Sequence, residues 1–206
     1  DGKRLLKLDF VHDLNKDGLS DFVVPDFNAQ HVYLQQQDGS FSHFALAVDA
    51  KSRIFDKDPD YTGREARFLD WNVDGRTDIA FAIDDTLLLY LQTETGFSTQ
   101  AQTIQLGLGL TPDVQAELRG GDGRSFKGLS INRLYDVKDL NNDGVADFIV
   151  RQELFADAVE QSYSYRIHYG QAGQGSLQFK AEPDALINTK GIQSEPVFTD
   201  LNNDKK

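Results

Sequence analysis

Polar and hydrophobic residues alternate along much of this chain in short runs. Leu6, Leu8 and Phe10 are separated by Lys7 and Asp9, the two-residue period of a half-buried strand. Strand-like runs follow at 21–24, at 31–36 and, after a turn at Asp38-Gly39, at 41–47. The order then recurs: 68–69, 78–83, 86–92, a turn at Thr95-Gly96 and 97–104. It recurs once more as 131–137, 147–152, 162–169, a glycine-rich turn at 170–175 and 177–181. Pro25, Pro59, Pro112, Pro183 and Pro196 fall in or beside the gaps, where a missing N–H does least harm. Only 113–118 reads as a helical turn.

Between the first two strands of each set lies one acidic pattern. Asp13-Leu-Asn15-Lys-Asp17-Gly18-Leu-Ser-Asp21 is matched by Asp70-Trp-Asn72-Val-Asp74-Gly75-Arg-Thr-Asp78 and by Asp139-Leu-Asn141-Asn-Asp143-Gly144-Val-Ala-Asp147. A fourth copy opens at Asp200-Leu-Asn202-Asn-Asp204. The copies begin 57, 69 and 61 residues apart. That period is too long for a helical-pair repeat and suits four-stranded propeller blades with some long loops. The expected fold is therefore all-β, with β-propeller blades of four antiparallel strands. Blade 1 covers about 5–48, blade 2 about 65–106, blade 3 about 130–181, and the start of blade 4 about 195–206. About three blades are present, whereas closed propellers use roughly four to eight. The expectation is a partial propeller or a fragment processed or excised from a longer chain, with exposed end blades available for self-association.

The loop spacing has a direct chemical reading. Calcium takes six to eight oxygens at about 2.3–2.6 Å. Side chains at positions 1, 3 and 5 of a tight loop converge on one point, and glycine at position 6 permits a positive φ. The carbonyl at position 7 and the carboxylate at position 9 complete the shell. The expected ligands are Asp13, Asn15, Asp17, the Leu19 carbonyl and Asp21. Their equivalents are Asp70, Asn72, Asp74, the Arg76 carbonyl and Asp78, then Asp139, Asn141, Asp143, the Val145 carbonyl and Asp147. Arg76 would keep its guanidinium in solvent. An EF-hand would need a glutamate at position 12, where Val24, Phe81 and Val150 stand. Metal-free Asx-turns are the alternative, but repeated sets of three carboxylates repel one another without a cation.

Composition sharpens this picture. Among 206 residues there are 21 Lys+Arg and 33 Asp+Glu, a formal net charge of -12. Calcium loops account for much of that excess. Acidity of this kind argues against a sequence-independent grip on nucleic acid. No run approaches the ~20 apolar residues of a membrane helix, so membrane insertion is not expected. Cysteine is absent, which excludes disulfides and thiolate chemistry. His12, His31, His43 and His168 are scattered without ligand spacing.

The segments DLNKDGLSDFVV, HVYLQQQ and DGSF, from Asp13 to Phe41, resemble a VCBS/FG-GAP repeat, the calcium-loop repeat of integrin-alpha-like β-propellers. DWNVDGRTDIAFAI with LLLYLQTETGF, and DLNNDGVADFIV with YRIHYGQAGQGSLQF, fit the same template. The resemblance implies a propeller in which each calcium loop joins a blade's first two strands. It also implies an exported protein, extracellular, periplasmic or on the cell surface, acting in adhesion or ligand binding. Lys205 stands where the fourth loop should carry glycine, which puts that site in doubt.

Strand order places the second-to-third and fourth-to-next connections on the face opposite the calcium loops. These connections are the longer ones, at 25–30, 48–64, 107–129, 154–161 and 182–195. A protein or glycan ligand is expected there, with Phe27, Tyr61, Arg64, Arg119, Arg124, Phe126 and Phe155 as candidate contacts. Trp71 is expected to pack against a neighbouring blade. No catalytic constellation is visible: there is no G-x-S-x-G and no H-E-x-x-H. The expectation is a non-enzymatic module. The alternative is a scaffold part of an exported enzyme such as a polysaccharide lyase or phospholipase.

Overall fold

The computed structural model describes residues 11–49, 51–55, 58–62, 64–112, 129–155, 161–173 and 175–190. Every regular element among them is a strand. The first sheet is an antiparallel meander of β1 (Val11–His12), β2 (Asp21–Pro25), β3 (Gln30–Gln35) and β4 (Phe41–Leu46). In β3 burial alternates: Gln30, Val32 and Leu34 are buried while His31, Tyr33 and Gln35 are half-buried. The segment 48–64, expected as a loop, instead contains a hairpin of β5 (Lys51–Phe55) and β6 (Asp58–Thr62). Its charges and Pro59 hide any two-residue period.

The second sheet contains β7 (Arg67–Leu69), β8 (Asp78–Ile83), β9 (Thr86–Tyr90) and β12 (Gln102–Gln105) in that spatial order. Between β9 and β12 the chain makes a small hairpin, β10 (Gln92–Thr93) with β11 (Gly96–Phe97). The third sheet repeats this plan. It contains β13 (Leu129–Lys138), β14 (Asp147–Phe155), β15 (Gln161–His168) and β18 (Ala185–Lys190). The inserted hairpin here is β16 (Gln171–Ala172) with β17 (Leu177–Gln178). The fourth strand of this sheet is therefore 185–190 and not 177–181. Residues 177–178 pair locally across the turn, and the outer edge of β15 is completed by chain that was expected to be loop. The possible helical turn at 113–118, the alternating residues 6–10 and the fourth acidic copy lie outside the described residues.

The chain divides into two compact units, 1–68 with 75–105, and 69–74 with 106–206. In the first unit Leu14, Val23, Val32, Leu34, Leu46 and Val48 from the first repeat cluster with Ile79, Phe81, Tyr90 and Phe97 from the second. Each such fully buried side chain contributes about 1.5–3 kcal/mol. Phe44 meets Phe97 edge-on at 6.2 Å, and the Tyr90 hydroxyl donates to the Ala47 carbonyl at 2.7 Å. Gln92 is buried and joins the two repeats: its Nε2 donates to the Leu14 carbonyl at 3.2 Å, and its Oε1 accepts from the Thr77 amide at 3.3 Å. In the second unit Trp71 is 7% exposed, and its carbonyl accepts from the Leu177 amide at 2.6 Å. Trp71 is thus buried, and its backbone is tied to the third repeat.

Two backbone positions constrain the fold tightly. Gly96 has φ +123°, and a Cβ there would lie 2.0 Å from Cζ of Phe44. The fourth residue of every acidic loop is also left-handed: Lys16 at φ 59°, Val73 at 57° and Asn142 at 57°. For asparagine this is an accessible conformation, but for β-branched valine it is strained.

These two sites yield opposite expectations in urea or thermal unfolding. Gly96→Ala should cost about 2–4 kcal/mol, combining left-handed strain with overpacking against Phe44. Gly39→Ala, at φ +81° with open space around it, should cost only about 1 kcal/mol. Equal losses would refute the close approach. Val73→Asn should instead raise stability by about 1 kcal/mol. A fall would show that the valine conformation is not strained.

Candidate metal centre

Each acidic loop folds because its carboxylates cap its own amides. In the first loop Asp13 Oδ1 accepts from the Asp17 amide at 3.0 Å and its Oδ2 from the Gly18 amide at 3.1 Å. Asn15 Nδ2 donates to Asp17 Oδ2 at 2.9 Å, and Asp17 Oδ1 accepts from the Leu19 amide at 2.8 Å. The third loop reproduces this network. Asp139 accepts from Asp143 and Gly144, Asn141 donates to Asp143, and Asp143 accepts from Val145. In the second loop Asp70 accepts from the Asp74 amide at 3.0 Å and Asn72 donates to Asp74 at 3.0 Å. The sixth residue is left-handed glycine throughout: Gly18, Gly75 and Gly144 at φ 85°, 87° and 85°. In each loop position 3 donates to the carboxylate of position 5, and position 1 accepts from the amide of position 5.

The ninth residue is buried beneath the loop. Asp21, Asp78 and Asp147 are each 0% exposed. Asp21 Oδ2 accepts from the Leu14 amide at 2.7 Å and Oδ1 from Gln35 at 2.9 Å. Asp147 makes the equivalent pair with Leu140 at 2.8 Å and Gly170 at 2.9 Å. Asp78 Oδ1 accepts from Gln92 at 2.8 Å. Each carboxylate oxygen retains a second lone pair for another donor or a cation. Burial pushes the Asp21 and Asp147 carboxyls above their ordinary range, and the backbone amides partly offset this. The charges of Asp17 on Asp21, and of Asp143 and Asp139 on Asp147, push the same way as burial.

A calcium shell fits one atom in particular. The Asn72 Oδ1 is buried without a hydrogen-bond partner. An oxygen in that state lacks the donor or ion that normally compensates its desolvation. Among the described residues no three His, Asp or Glu side chains by themselves make a metal-holding group. Asparagine oxygens, backbone carbonyls and water would have to complete any shell. The Arg76 guanidinium lies 3.6 Å from Glu94, itself 88% exposed.

The candidate contacts for a ligand divide unevenly. Phe27, in the β2–β3 connection, is 52% exposed. Arg64 is engaged in structure: its Nε donates to the Asp49 carbonyl at 2.9 Å and its Nη1 to Ala82 at 3.5 Å. Arg119, Arg124 and Phe126 lie outside the described residues, as do the side chains of Tyr61 and Phe155. Sequence reasoning missed two associations. Gln92 gave no signal, because a lone glutamine at a strand end carries no motif. His31 and His43, read as scattered, meet across β3 and β4 with Nδ1 and Nε2 only 2.9 Å apart. Only the register of β3 on β4 brings them together, and spacing does not give it.

A model of the FG-GAP-like repeat family matches residues 13–81, from the first acidic loop into the second strand of the second sheet. No curated protein matches the chain. The loops and the strand order of this region agree with the match, so residues 13–81 are similar to an FG-GAP-like repeat.

Proposed function

We propose that this chain is a calcium-binding β-propeller module of an exported protein, acting in adhesion or in protein or glycan binding rather than in catalysis. The observation that carries the calcium reading is the partnerless Asn72 Oδ1 within a loop whose neighbours are Asp70 and Asp74. The common backbone of the three loops supports it, since left-handed residues recur at positions 4 and 6. A dication would also offset the burial and mutual repulsion that raise Asp21 and Asp147. Its ligands are Asp13, Asn15, Asp17, Leu19 and Asp21, and the corresponding residues of the second and third loops. Calcium here is structural: it holds the corner between the first two strands of each sheet. Extracellular modules bind it at about 10⁻⁴–10⁻³ M, a range filled outside cells. The ligand-binding face is opposite the loops, where Phe27 stands exposed. The module's end sheets associate with further repeats or a second copy.

Calorimetric titration and melting curves test the metal. Calcium at 100 times its dissociation constant should stabilise the chain by about 2.7 kcal/mol per independent site. Asp17→Asn, Asp74→Asn or Asp143→Asn should each remove part of the calcium-induced rise in Tm, with little change in excess chelator. An identical Tm for the unaltered chain in calcium and in chelator rejects the reading. For the binding face, the calcium-loaded chain on a glycan and matrix-protein array should give a signal that Phe27→Ala reduces about tenfold, the share of one exposed aromatic anchor. An unchanged signal moves the contact away from the β2–β3 connection.

A further inference from the structure

The outward face of the first sheet carries a second, chemically different constellation. His31 and Tyr33 occupy alternate positions of β3, and His43 pairs with Tyr33 from β4. His43 stacks on Tyr33 with ring centroids 4.7 Å apart and an interplanar angle of 18°. His31 stacks on the His43 ring at 5.1 Å and 25°. The two imidazoles thus sit in a fixed mutual orientation, with His31 Nδ1 2.9 Å from His43 Nε2. On the far side, His31 Nε2 is 3.7 Å from Asp26 Oδ2. A proton on that nitrogen faces the carboxylate, and the Nδ1 lone pair then points at His43. In that tautomer the Nδ1 lone pair can accept a hydrogen bond from a protonated His43 Nε2.

We propose that His31 and His43 form a two-nitrogen site for a borderline transition-metal dication, copper(II) above the others, with Asp26 as the outer partner that orients His31. Bonds of about 2.0–2.1 Å from one metal place two nitrogens about 2.9 Å apart at a right angle and about 3.4 Å apart at the tetrahedral angle. The observed 2.9 Å matches the right-angled pair. Tetragonal coordination by nitrogen and oxygen is the preference of copper(II) and nickel(II), and copper(II) stands highest in the affinity order of these metals. Water fills the remaining positions, because His43 is exposed. The carboxylate–imidazole contact is the arrangement that fixes a ligating histidine's tautomer. Imidazole nitrogen suits these ions and is a poor ligand for calcium, so this site is independent of the oxygen-rich loops.

The test uses the full chain saturated with calcium, so that the acidic loops are occupied, and copper(II) as the probe. Calorimetry should show a copper equivalent that is lost in the His31→Gln, His43→Gln double variant. Electron paramagnetic resonance should show two coupled nitrogens. Each single histidine variant should weaken binding at least tenfold and leave one coupled nitrogen. Asp26→Asn should weaken it about 10-fold while both nitrogens remain. Circular dichroism and calcium-dependent melting of each variant check that the sheet is intact. Copper binding unchanged in the intact double variant, or a spectrum without nitrogen coupling in the unaltered chain, overturns the proposal.

Discussion

The structure depends on a buried carboxylate at the ninth place of each acidic loop. Asp21 and Asp147 each hold two backbone amides, one from inside the loop and one from the end of the third strand or the turn just after it. The loop, the second strand and the third strand are thereby tied at one corner. An ionised carboxylate is costly to bury alone, yet a hydrogen bond to a charged group returns about 1.5–3 kcal/mol. Removing the carboxylate would leave the Leu14 and Gln35 amides without an acceptor. The group is therefore structural whether or not an ion sits beside it.

Outer and inner carboxylates divide the work. Positions 1 and 5 shape the turn and face solvent, as at Asp13 and Asp17, while position 9 anchors it to the sheet. Position 2 faces inward as well. Leu14 is buried in the core of the first unit, and Trp71 is buried in the second. One nonapeptide thus combines an oxygen-rich rim with a hydrophobic plug. That combination explains why the pattern repeats with so little variation while the intervening chain varies freely.

Much of this was legible in the sequence. Strands with a clean two-residue period, such as β3, were placed to within a residue, because one face packs and the other does not. The loops were legible because Asp, Asn and Gly at fixed spacing are local instructions that need no tertiary contact. The fourth strands were less readable. In the third sheet β18 carries the exposed residues Leu186 and Ile187, so no burial alternation marks it as a strand. The β5–β6 hairpin was hidden in the same way, by charge. The left-handed Val73 was not legible at all, since valine is a poor residue for that conformation and is held there by its neighbours. The meeting of His31 with His43 required knowledge of strand register, which spacing alone does not supply.

The carbonyl at the second loop position has a consequence for how such a chain tolerates change. Leu14 offers its carbonyl to Gln92, and Trp71 offers its own to Leu177. The first two nonapeptides thus each latch onto a residue of the following repeat, although different lengths of chain lie between. Intervening segments can grow by many residues at an entropic cost that rises only logarithmically. A single residue inserted within the nonapeptide would instead break the latch and the turn together. Length variation is thereby channelled into the connectors, where new surface can be added without disturbing the interlock.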